Sequence, residues 1–148
     1  MVEKPNASPE CVILVGVPGS GKSTFARARY PGYEHISKDL FPPSARDKQA
    51  RQDAALRRAL SAGRSVIVDN TNVTPDDRAA IITIAREFGA RVVGCYLVIS
   101  TRDAVARNEK REGRAKVPKV AIFTSAKRLV APTKEEGFDE LTVVEQGT

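Results

Sequence analysis

Near the start of the chain, Gly16-Val-Pro-Gly-Ser-Gly-Lys-Ser-Thr24 combines tightly turning backbone with one ammonium group and several hydroxyls. Such a stretch can hold a phosphate. Gly16, Gly19 and Gly21 can let successive backbone N–H groups turn inward as a cradle for an anion, with Pro18 and Ser20 completing the nucleotide-binding loop. Lys22 adds a point charge suited to the β and γ phosphates of a nucleotide, and the Ser23 hydroxyl can ligate Mg²⁺. The spacing Gly16-x-x-x-x-Gly21-Lys22-Ser23 is that of the P-loop, or Walker A, pattern.

Transfer of a phosphoryl group asks for more: a base for the acceptor hydroxyl, a cation over the moving group, and a pocket for the acceptor. Asp39 in "HISKDLF" could serve as the base or act as a loop cap. Asp69, which ends the apolar run "SVIVDN", could hold Mg²⁺ through water or cap the turn that follows. Arg107, Lys110, Arg111 and Arg114 are candidate cations, and Gly113 is a candidate hinge for a basic lid closing over phosphate. His35 reads as a packing residue of a strand. Tyr30, Tyr33, Phe41 and Phe123 read as core or pocket walls. The chain has no Asn-Lys-x-Asp base-reading motif, which argues against a GTPase, and a large AAA-type ATPase would need more chain for its lid domain. A small kinase is what these residues imply.

Elements must place these groups at one edge. Cys11–Val17, Ser65–Asn70 and Arg91–Ile99 are Val- and Ile-rich runs expected as strands buried on both faces. Tyr33–Ser37 is a weaker strand and Glu140–Glu145 a late one. Helices are expected over Lys22–Arg29, Ala45–Ala62, Thr74–Phe88, Thr101–Arg111 and Val120–Val130. Thr74 is the N-cap of the third, with Pro75 in its first position and Gly89 as its stop. Strand–helix alternation with short connections predicts an α/β domain with a mostly parallel sheet of about five strands and helices on both faces. Residues 1–148 read as one domain, loose over residues 1–10 and 146–148.

Composition fits a globular protein: 41% of the 148 residues are hydrophobic and 28% charged. No apolar run is long enough to span a bilayer, and the N-terminus lacks the apolar stretch of a signal peptide. Cys11 and Cys95 fall in predicted strands, as buried thiols in a reducing cytoplasm would. With one histidine and no Cys-x-x-Cys, the chain has few ligands for structural zinc. The net charge of +6 points mildly to a polyanionic partner. From Thr101 to Lys119 seven basic residues accompany three acidic ones, while the tail from Lys134 is acidic.

Taken in order, "GVPGSGKST", "GYEHISKDLF", "GRSVIVDNTNVTPDDR", "ARNEKREGRAKVP" and "APTKEEGFDEL" resemble the kinase domain of polynucleotide 5′-hydroxyl kinases, from about Val12 to Val144. The resemblance implies a P-loop kinase fold with a basic lid. It implies transfer of the γ-phosphoryl group of ATP, with Mg²⁺, to the 5′-hydroxyl of DNA or RNA. Asp39 would then be the general base, Arg111 would bridge the γ-phosphate and the acceptor's phosphate, and Arg107 would lie near the donor nucleotide. Asp69, Thr71 and Asn72 would line the floor. Two features depart from the family pattern. Ser37-Lys38-Asp39 replaces the usual Asn-Arg-Asp, and Pro42 stands where some phage-type members carry an arginine that reads a 3′-phosphate. No Asp-x-Asp-Gly-Thr phosphatase motif is present. A small-molecule P-loop kinase and a nucleotide-gated nucleic-acid-binding module are the rival readings.

Overall fold

The computed structural model describes residues 8–146, apart from the side chain of Arg114. Five strands form one parallel sheet: β1 (Glu10–Val15), β2 (Glu34–Ile36), β3 (Val66–Val68), β4 (Arg91–Val98) and β5 (Glu140–Glu145). Their order is β2-β3-β1-β4-β5, with Val12 level with Ile67 on one side and Val93 on the other. Parallel pairing requires crossovers, here supplied by α1 (Lys22–Arg29), α2 (Lys48–Ser61), α3 (Pro75–Glu87), α4 (Thr101–Glu109) and α5 (Lys119–Arg128).

The period of two along β1 divides the core. Cys11, Ile13 and Val15 pack on one face with Leu56 and Leu60 of α2 and Ile81 and Ile84 of α3. Val12 and Leu14 pack on the other face with Ala26 and Tyr30, at the end of α1. All five β1 side chains from Cys11 to Val15 are fully buried, each of the larger ones contributing about 1.5–3 kcal/mol. A third, smaller cluster joins Val17 to Ala104 of α4 and Ile122 of α5, so the last two helices pack directly behind the glycine loop. Both cysteines are buried and free. Among the described residues no helix is long and apolar enough to cross a membrane.

The start of α3 follows its sequence signals: the Thr74 hydroxyl accepts from the Asp77 N–H (3.2 Å), and the Asp77 carboxylate accepts from the Thr74 N–H. Elsewhere the structure differs from expectation. α2 starts at Lys48 and not Ala45, because Asp47 takes a left-handed φ of 53° that no helix continues. Phe123 is 49% exposed on α5 and belongs to no core. Within the ends expected to be loose, Glu10 opens β1 and the Gln146 N–H donates to the Val98 carbonyl (2.8 Å). Residues 1–7 and 147–148 of those ends lie outside the described residues.

Candidate active site

The C-terminal ends of β1, β2 and β3 deliver three loops to one edge, around a cleft of about 490 Å³. Its lining includes Pro18, Lys22, Ser23 and Thr24 from the glycine loop and α1, Asp39 from beyond β2, and Asp69 and Thr71 from beyond β3. Arg111 and Val117 close it from the segment after α4. The residues that the sequence proposes for phosphate, base, metal and lid cation thus meet in one place.

The loop is held at close quarters. Gly19 and Gly21 both take φ of 87°, and a Cβ on Gly19 would lie 2.5 Å from the Ala104 carbonyl oxygen. A Cβ on Gly21 would meet Arg107 Nη1 at 2.7 Å and Gln146 Nε2 at 2.9 Å. Gly16 donates its N–H to Thr71 O (3.0 Å), and Gln146 Nε2 donates to Ser20 O (3.0 Å). Helix geometry leaves the N–H groups of Lys22, Ser23 and Thr24 without partners in α1, so they are available to an anion at the positive end of its dipole. The Ser20 hydroxyl is buried beneath the loop without a hydrogen-bond partner among the described residues.

Lys22 is 9% exposed and its ammonium donates to the Val17 carbonyl (3.1 Å). Burial pushes its pKa down to about 8; Asp69 and Asp39 pull it up, while Arg111 pushes it further down. Those three charges bear on one amine across the cleft. Ser23 donates its hydroxyl proton to Asp69 Oδ2 (2.5 Å), which leaves the serine lone pairs for a metal. The same Asp69 oxygen lies 2.7 Å from His35 Nε2. Among the described residues no group of three or more His, Cys, Asp or Glu could hold a metal ion. A serine oxygen backed by one carboxylate is the sparse, hard donor set that suits Mg²⁺, which keeps most of its ligands as water and phosphate.

Asp39 sits in a 3₁₀ turn (Lys38–Leu40) capped by Ser37, whose hydroxyl accepts from the Asp39 N–H (3.1 Å). Asn70 anchors that turn: its side-chain oxygen accepts from the Lys38 N–H (3.0 Å), and its amide donates to the buried Gln52 (2.6 Å). Arg111 donates to the Ala115 carbonyl (3.3 Å). The loop carrying it is pinned at its base, because buried Asn108 donates to the Val117 carbonyl (2.6 Å) and accepts from the Val117 N–H (2.9 Å).

Two expected site residues are not on the cleft lining. Asn72 does not line the cleft. Its φ of 48° turns the side chain inward to donate to the Leu14 carbonyl (2.8 Å), so it supports the floor from beneath. Arg107 is not on the cleft lining, but its guanidinium lies against Gly21 of the phosphate loop. The Arg114 side chain lies outside what is described. His35, read as a packing residue, touches Asp69 instead. Reading the sequence also missed Arg27 and Asn70 on the lining and the fully buried Arg78. Arg78 donates to the Asn72 carbonyl (2.9 Å) and through two bonds to Glu136 (2.7 and 3.0 Å), fixing the floor to the C-terminal part of the fold.

A glycine loop closing onto a helix N-terminus, at the edge of a parallel sheet ordered 2-3-1-4-5, defines an α/β protein of the P-loop kinase fold. Residues 11–132 match the family described as AAA domain, and the chain belongs to that family. The matched span runs from β1 through α5 and stops short of β5. The chain is 33% identical over 146 residues to the bifunctional polynucleotide phosphatase/kinase of Schizosaccharomyces pombe, covering 95% of this chain and 35% of that protein. It is also 33% identical over 144 residues to the putative bifunctional polynucleotide phosphatase/kinase of Acanthamoeba polyphaga mimivirus, covering 91% and 33%. It therefore spans about a third of the length of these curated relatives. A chain of the Pnkp1/Rnl/Hen1 RNA repair complex superposes with a TM-score of 0.70 at 26% identity, over 86% of this chain and 47% of that one.

Proposed function

We propose that this chain transfers the γ-phosphoryl group of ATP to the 5′-hydroxyl of a polynucleotide. The observation that carries this reading is the placement of Asp39 across the cleft from the glycine loop, close enough to act on Lys22 together with Asp69 and Arg111. The named relatives supply the polynucleotide as acceptor.

The loop and α1 N–H groups with Lys22 hold the β and γ phosphates. Asp39 accepts the proton of the acceptor hydroxyl as its oxygen bonds to phosphorus and the bond to the leaving oxygen breaks. Arg111 neutralises charge on the moving group, and its pinned loop acts as a basic lid. Ser23, backed by Asp69, would hold Mg²⁺, which supplies charge neutralisation at the phosphate oxygens. His35 meets the same Asp69 oxygen as Ser23 and helps hold that carboxylate in place. Two free, buried thiols support a reducing compartment such as the cytoplasm.

The test is transfer of labelled γ-phosphate from ATP to matched 5′-hydroxyl and 5′-phosphate oligonucleotides, DNA and RNA, by the unmodified chain and by Asp39→Asn. We expect label on the 5′-hydroxyl strands alone, with the variant binding ATP but transferring nothing. Unchanged transfer by Asp39→Asn would remove the base. No label on any strand, with ATP still bound, would point to a small-molecule acceptor.

A further inference from the structure

Helix α5 buries Ile122 against Val17 and Ala104, yet an adjoining face is left to solvent. Phe123 is 49% exposed and Val120 is 66% exposed. Lys119 and Lys127 stand four residues before and after Phe123, so the three form one stripe along the helix. Both lysines and the neighbouring Arg128 are exposed. From Gly113 to Pro132 the chain carries Arg114, Lys116, Lys119, Lys127 and Arg128 and no acid at all. Among the described residues the ion pairs of this segment stop at Lys116–Glu109 (3.6 Å). An aromatic face between unpaired cations suits one ligand well: a base stacks on the ring while backbone phosphates meet the ammonium groups.

The position of the helix fits. Val117 belongs to the cleft wall, and Pro118 leads from it directly into α5. Lys119 to Lys127 is a rise of about 12 Å, the length of roughly three to four stacked nucleotides at ~3.4 Å each. We infer that the Lys119–Phe123–Lys127 face of α5 docks the single-stranded polynucleotide that continues 3′ of the nucleotide being phosphorylated. This rests on the polynucleotide acceptor proposed above and adds where the rest of the strand lies.

Acceptor KM is measured for 5′-hydroxyl strands of three and twelve nucleotides, with the unmodified chain, with Phe123→Ala and with Lys119→Gln/Lys127→Gln. The unmodified chain should favour the longer strand. Phe123→Ala should raise the KM of the twelve-nucleotide strand by about tenfold, as loss of one stacked base can, and so erase the length preference. In anisotropy titrations of the same strand, the double lysine variant should flatten the dependence of log affinity on log salt by about 0.7 for each lysine. A length preference kept by Phe123→Ala, or a salt slope kept by the double variant, overturns the docking face. Equal KM for both strands with the unmodified chain overturns it too, while the kinase reading stands. Phosphorylation of neither strand removes both. If Phe123→Ala leaves KM alone but converts a dimer into monomers in sedimentation, the face belongs to a second copy of the chain and the inference fails.

Discussion

The lysine of the phosphate loop should make nucleotide affinity depend on pH in a range where ordinary lysines are inert. Burial pushes Lys22 down to about 8, with Arg111 adding to the effect and Asp69 and Asp39 opposing it. Phosphate binds the ammonium and not the neutral amine. The free protein therefore offers its binding form below about pH 8 and loses it as pH rises through that value. With a pKa of about 8, roughly 91% of Lys22 is charged at pH 7 and roughly 9% at pH 9, so ATP affinity should fall about tenfold, or ~1.4 kcal/mol, between them. The phosphates themselves ionise near pH 6 and add little over that range. At pH 8 binding should also take up about half a proton, since the phosphates hold Lys22 charged in the complex. Calorimetric titration of ATP in EDTA, in two buffers of different ionisation enthalpy at pH 7, 8 and 9, measures both quantities. Lys22→Met should bind weakly with no such slope. A Kd that is flat from pH 7 to 9 with no proton uptake would refute the reasoning.

Other substitutions probe separate parts of the site. Arg111→Ala should lower turnover by on the order of 10³, the effect of losing a transition-state arginine, and a two- or threefold loss would return the residue to a surface role. Arg78→Met leaves Glu136 and the Asn72 carbonyl without their buried donor and should cost about 3–5 kcal/mol in urea unfolding, with Arg78→Met/Glu136→Leu costing less than the single change. Gly19→Ala forces a Cβ into a left-handed backbone position 2.5 Å from the Ala104 oxygen. It should destabilise the fold by about 2 kcal/mol or more and weaken ATP binding, both visible in thermal melts with and without ATP.

What could be read from the chain follows the range of the interaction involved. The glycine loop was legible because its chemistry is contained in consecutive residues, and β1, β3 and β4 because burial on both faces leaves a continuous apolar run. The contact of His35 with Asp69 was not, since it exists only because β2 lies beside β3 with His35 level with Ile67. Asn72 reads as a polar floor residue until its left-handed φ and the Leu14 carbonyl beneath it are known. Arg78 sits in the first turns of a helix, where a cation reads as solvated, and its carboxylate partner lies 58 residues further on. Phe123 was misread for a related reason: an aromatic residue in a half-apolar helix does not reveal which side its neighbours bury.

Two of these long-range bonds set a condition on biosynthesis. The floor under the phosphate loop is tied by Arg78 to Glu136, and the loop itself by Ser20 to Gln146, 126 residues apart. On a ribosome adding about 5–20 residues per second, the glycine loop and α1 emerge early, and Arg78 then waits about 3–12 s for its partner. A nascent chain can thus form the first strand and helix long before it can form a rigid nucleotide cradle. A fragment that stalls before Gln146 carries the whole glycine motif yet lacks this tie to the loop.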